Sequence, residues 1–69
     1  MEILSSRLLD LRKARTLTRP EAADAIGISL KSYQRYETGE REPSASVLAA
    51  LADLYEVSAD YLLGRTEEK

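Results

Sequence analysis

The stretch Thr18-Arg19-Pro20-Glu21-Ala22-Ala23-Asp24-Ala25-Ile26-Gly27-Ile28-Ser29 leaves the backbone little choice. Thr18 followed three residues later by Glu21 is a capping-box pattern, and Pro20 falls in the first turn, where its missing N–H costs nothing. Ala22, Ala23 and Ile26, at i, i+1 and i+4, give one apolar face. Gly27 stands where a residue just past a helix C-terminus takes positive φ. Ile28 then turns inward and Ser29 can cap a second helix. The spacing predicts helix, tight glycine turn, helix, with the small Ala23 letting the two axes approach. That is a helix-turn-helix.

The second of these helices is Leu30-Lys31-Ser32-Tyr33-Gln34-Arg35-Tyr36-Glu37-Thr38. At 3.6 residues per turn, Leu30, Gln34, Thr38, Lys31 and Arg35 share an arc of roughly 140°. Gln and Arg carry the donors that base edges and phosphates use, so this face suits a DNA groove. An ordinary solvated polar face reads equally well from this segment alone. Leu30, first in the helix, is either an accidental exposed leucine or a contact for a thymine methyl. Ser32 lies at the arc's edge, beside the helix N-terminus. Tyr33 and Tyr36 point away from the arc, and their phase favours core packing over stacking on bases.

The run Leu17-Thr18, Ala23, Ile26-Gly27-Ile28-Ser29, Tyr33, Arg35-Tyr36-Glu37, Gly39 and Pro43-Ser44 resembles the Cro and phage-repressor family, often called XRE-like. The resemblance continues through Leu48, Leu51-Ala52, Val57-Ser58 and Asp60-Tyr61-Leu62-Leu63-Gly64, covering about residues 3 to 64. It implies an all-α, five-helix lambda-repressor-like domain that binds operator DNA as a dimer. It also implies an ion pair between Arg12 and Glu37, since the family commonly joins these places. An inward carboxylate at Glu37 needs a partner in any case. Arg12 as a phosphate ligand is the alternative. Two departures stand out. Arg19 replaces the usual glutamine, which suggests an altered phosphate contact. Ala22 replaces a larger apolar residue, which suggests a different packing of the second helix, filled by Tyr33.

The rest of the chain organises around this motif. A first helix is expected from Glu2 to Arg15, with Leu4, Leu8, Leu11 and Ile3 as its stripe. The second and third span Arg19 to Ile26 and Leu30 to Thr38. Gly39 ends the third, and Pro43-Ser44 starts a fourth, Ala45 to Tyr55, with Val47 or Leu48, Leu51, Ala52 and Tyr55 inward. Val57 and Ser58 lead into a fifth, Ala59 to Leu63, closed by Gly64. Residues 1–64 thus form one domain, and 65–69 a charged tail expected to fray.

Composition narrows the function. The 69 residues contain no cysteine and no histidine, which removes disulfides, thiolate or imidazole metal sites and His-dependent catalysis. No nucleophile–base pair can be assembled and a small bundle has little room for a pocket, so an enzyme is not expected. Nor is a cofactor. No apolar run approaches the ~20 residues of a membrane span, and no signal peptide is visible. A cytoplasmic protein of bacterial or phage origin is the expectation.

The net charge of −2 is unusual for a DNA-binding domain. Its distribution is uneven, however. Residues 12–41 hold seven basic and four acidic side chains, whereas residues 46–69 hold two basic and five acidic ones. Phosphates respond to the field within a Debye length, ~10 Å at 0.1 M salt, so distal acids count less. The expected DNA-binding residues are Thr18, Arg19, Ser29, Leu30, Lys31, Ser32, Gln34, Arg35, Thr38 and Arg41. Free N–H groups at Arg19 and Glu21, with the helix dipole behind them, should add to the phosphate grip. A homodimer is expected through Ala49, Ala50, Leu54, Tyr61 and Leu63, although Leu54 and Leu63 serve equally well to complete the monomer core. These features point to a sequence-specific transcriptional regulator of repressor type acting on double-stranded DNA. A protein-interaction module on the same fold, such as an antitoxin or co-regulator, and the binding domain of a longer regulator are the alternatives.

Overall fold

Four of the five helices begin with a serine or threonine whose hydroxyl accepts a first-turn N–H, and this fixes the chain's partition. The structure, a computed structural model, describes all 69 residues. Helix α1 (Glu2–Ala14) is followed by α2 (Arg19–Ile26), α3 (Leu30–Thr38), α4 (Ala45–Tyr55) and α5 (Ala59–Leu62), and no strand occurs. Thr18, Ser29, Ser44 and Ser58 are the caps, and the Thr18–Glu21 box is complete in both directions. The helix ends match the sequence expectation to within one residue. Arg15 and Leu63 are C-terminal caps instead of last helical residues.

Gly27 takes φ +71°, as the turn between α2 and α3 demands; a Cβ there would meet nothing within 4 Å, so only the conformation requires glycine. Gly64 answers to both constraints. It has φ +79°, and a Cβ would come within 2.5 Å of Ile3 Cδ1, so its bareness lets the end of α5 close on α1. Ile3, expected in the apolar stripe, remains 38% exposed while filling this contact.

The core gathers one stripe from each helix: Leu4, Leu8 and Leu11; Ala22 and Ala23; Tyr33 and Tyr36; Leu51, Ala52 and Tyr55; and Leu62. Val47 and Leu48 are both half-buried against it. With no Phe or Trp in the chain, tyrosines supply the aromatic bulk, and Tyr33 and Tyr55 are its largest fully buried side chains. Their hydroxyls would be costly unpartnered, and they hydrogen-bond each other. Ala22 and Tyr33 are both wholly buried in this cluster.

The C-terminal tail, expected to fray, is contacted by Arg7 at Thr66 and Glu67. Arg7 donates from Nη1 to the carbonyls of Tyr61 and Thr66, from Nη2 to Glu67 at 2.8 Å, and lies 4.0 Å from the Tyr61 ring centroid. A composition-based reading could not see this, because the partner sits about sixty residues away in sequence.

Candidate nucleic-acid interface

The polar arc of α3 emerges intact on the surface. Tyr33, Tyr36 and Glu37 are its buried side, while Leu30, Lys31 and Thr38 are exposed and Gln34 and Arg35 half-exposed. Lys31, Gln34, Arg35 and Thr38 line an open depression of about 390 Å³, together with Arg19 from α2 and Glu40 from the following turn. No hydrophobic residue lines it. Its charged groups are three cations and one carboxylate, so local potential is positive despite the chain's net charge of −2. Leu30 borders this face as one of three exposed large apolar residues.

Beneath the depression lies a buried ion cluster. Glu37, its side chain fully buried, accepts at Oε2 from Arg12 Nε (2.8 Å) and at Oε1 from Arg12 Nη2 (2.8 Å) and Arg19 Nε (3.0 Å). Arg12 also donates from Nη1 to the Leu17 carbonyl at 2.9 Å. Burial alone would raise the Glu37 carboxyl, but the hydrogen bonds from Arg12 and Arg19 outweigh it, and the group lies below the ordinary carboxylate value. Hydrogen bonding to Glu37 raises Arg12 in turn. Arg12 is thus bonded within the protein through all three of its guanidinium nitrogens. Nearby, burial and the bond to Tyr55 hold the Tyr33 hydroxyl far above its usual range.

The other anticipated residues fall into three groups. Thr18, Ser29 and Ser32 surround the two helix starts, their hydroxyls engaged locally: Thr18 accepts from Glu21 N–H, and Ser29 accepts from Ser32 N–H and donates to the Ser32 hydroxyl. Arg41 is exposed beyond α3, outside the depression. The α4–α5 residues sit elsewhere: Ala49 is exposed, Ala50 and Leu63 are half-buried, and Leu54 and Tyr61 pack against the core. The expected free N–H at Glu21 is corrected, because the capping box consumes it. With Pro20 lacking a donor, Arg19 N–H alone remains free at that helix start.

Two members escaped the sequence reading. Glu40 stands five residues after Arg35, too far for a helical pair, but Gly39 at φ +81° and the Arg41 N–H to Arg35 carbonyl bond fold it back. Its carboxylate then lies 3.9 Å from Arg35 Nε. The second is the link from Arg19 to Glu37. An inward glutamate with two upstream arginines was the available signal.

A family model described as helix-turn-helix matches residues 8–62. The chain belongs to this family. Among its relatives is the HTH-type transcriptional regulator AnsR of Bacillus subtilis (strain 168), 44% identical over 63 residues, 91% of this chain and 54% of AnsR. The cryptic phage CTXphi transcriptional repressor RstR of Vibrio cholerae serotype O1 is 47% identical over 62 residues, 90% of this chain and 55% of RstR. The uncharacterized HTH-type transcriptional regulator YazB of Bacillus subtilis (strain 168) is 38% identical over 61 residues, 88% of each chain. This helix-turn-helix chain thus spans about half the length of AnsR and RstR. The phage-repressor likeness read from the motif agrees with these relatives. No helix is long and apolar enough to cross a membrane.

Proposed function

We propose that this chain is the DNA-reading domain of a non-enzymatic transcriptional regulator of repressor type. In this reading α3 enters the major groove of a two-fold symmetric operator. The observation that carries it is the depression formed by Arg19, Lys31, Gln34, Arg35 and Thr38: rich in cations, lined by no hydrophobic residue and open to solvent. Arg35 is suited to guanine O6 and N7, Gln34 to adenine N6 and N7, and Lys31 to phosphate as a point charge. Exposed Leu30 can meet a thymine methyl. Thr18, Ser29, Ser32 and Arg41 flank this face and complete the phosphate contacts.

A helix of nine residues is only ~13 Å long and reaches a few base pairs, so specificity calls for two copies. We assign the dimer contact to the α4–α5 side, through Ala49, Ala50, Leu54, Tyr61 and Leu63, which leaves α3 free. A two-fold axis there would set the reading helices ~34 Å apart, one duplex turn.

Selection of bound duplexes from a random pool tests the reading. The expected result is a consensus of two inverted half-sites. A single half-site would overturn the dimer, and binding to no duplex would overturn DNA reading and favour a protein partner for the same face.

A further inference from the structure

Two arginines share the Glu37 carboxylate, but on unequal terms. Arg12 spends Nε, Nη1 and Nη2 on hydrogen bonds inside the protein, and its side chain is 13% exposed. Arg19 spends only Nε; its terminal NH2 groups donate to nothing in the protein, and its side chain is 39% exposed. The three groups together carry one net positive charge. Arg12 and Glu37 neutralise each other in the interior, so that surplus charge resides on the Arg19 guanidinium at the depression.

We infer that Glu37 is a positioning residue: by holding Arg19 through Nε, it fixes the guanidinium with both terminal NH2 groups facing the depression, ready for a backbone phosphate. This rests on the DNA-reading role proposed above and adds to it a specific geometry. A guanidinium is planar, so a carboxylate bound at Nε determines where the Nη atoms point. Oxygens of Glu37 lie in the core on α3, the same helix that presents Gln34 and Arg35. The phosphate donor on α2 is thereby locked in register with the base-reading side chains on α3. An arginine otherwise loses rotamer freedom on binding; one already held loses less.

The distinguishing variant is Arg19→Lys, which preserves charge but has no second set of donors to place once its ammonium faces either Glu37 or a phosphate. Arg19→Ala and the parent protein accompany it. Each is measured with a selected duplex across a salt series, with stability recorded separately by urea unfolding. The expected result is that Arg19→Lys keeps the parent's salt slope yet binds about tenfold more weakly, whereas Arg19→Ala binds more weakly still with a slope shallower by about one. Arg19→Lys binding as tightly as the parent would overturn the positioning role, whatever it does to stability, and leave the DNA-reading role standing. A parent protein that retains no duplex at all would overturn both. A second readout needs no DNA. Nitrogen NMR of the free protein should show a solvent-protected Arg19 Nε–H that is lost in Glu37→Gln when that variant keeps its helical circular dichroism. An Arg19 Nε–H exchanging as fast as that of a free side chain in the parent would also overturn the inference.

Discussion

Arg12 on α1 and Glu37 on α3 face each other through two hydrogen bonds of 2.8 Å, joining the first helix to the back of the reading helix inside the protein. The geometry is bidentate, and Glu37 accepts a third bond from Arg19. A buried pair of this kind is not by itself a large net gain, since desolvation of both ions offsets much of the attraction. Removing one member is different. Arg12→Ala strips Glu37 of its principal partner and should cost about 3–5 kcal/mol, against a total of about 5–15 kcal/mol for a typical domain. Urea unfolding checks this; a loss below about 1 kcal/mol would show that Arg19 or water compensates.

Acid should find the same cluster. The Glu37 carboxyl sits lower folded than the ordinary 4.5, so its contribution is complete above the unfolded value and disappears as pH falls through the folded one. Glu21, held down chiefly by the Thr18 N–H of the capping box, acts in the same direction. Stability should therefore be flat from neutral pH to about 5 and decline below about 4.5. Glu37→Gln should lower the plateau and flatten that decline. An acid limb equally steep in the variant would place the sensitivity elsewhere.

The tyrosine pair invites a double-mutant cycle. Tyr33→Phe leaves the Tyr55 hydroxyl buried without its partner and should cost about 1–3 kcal/mol, as should Tyr55→Phe. The double variant removes both polar groups and should be less destabilised than the sum of the two singles. Additive losses in thermal unfolding would mean that water or Glu37 already serves each hydroxyl.

Arg35 bears on sequence reading. Arg35→Ala should weaken the preferred site by ~1–3 kcal/mol and relax one position of each half-site. Glu40, close to Arg35 Nε, should oppose nonspecific attraction to phosphates; Glu40→Gln should raise affinity for random duplex more than for the selected site. Fluorescence anisotropy with both duplexes measures the ratio. An unchanged consensus for Arg35→Ala would remove it from base reading.

What the sequence determined by itself is largely what is governed by neighbours one helical turn away. Caps at Thr18, Ser29, Ser44 and Ser58, the turn at Gly27, and the inward phase of Tyr33 and Tyr36 depend on spacings of three or four residues, and all are present in the fold. The polar arc of α3 was legible for the same reason. Tertiary structure decided which long side chains meet. An arginine reaches far enough to choose among many partners, and its choice depends on where helices cross. Hence Arg19 divides itself between Glu37 and the surface, Glu40 folds back beside Arg35 through the left-handed Gly39, and Arg7 ties down a tail whose composition reads as loose. Charge and capping are local properties of the chain; the placement of a guanidinium is a property of the packed bundle.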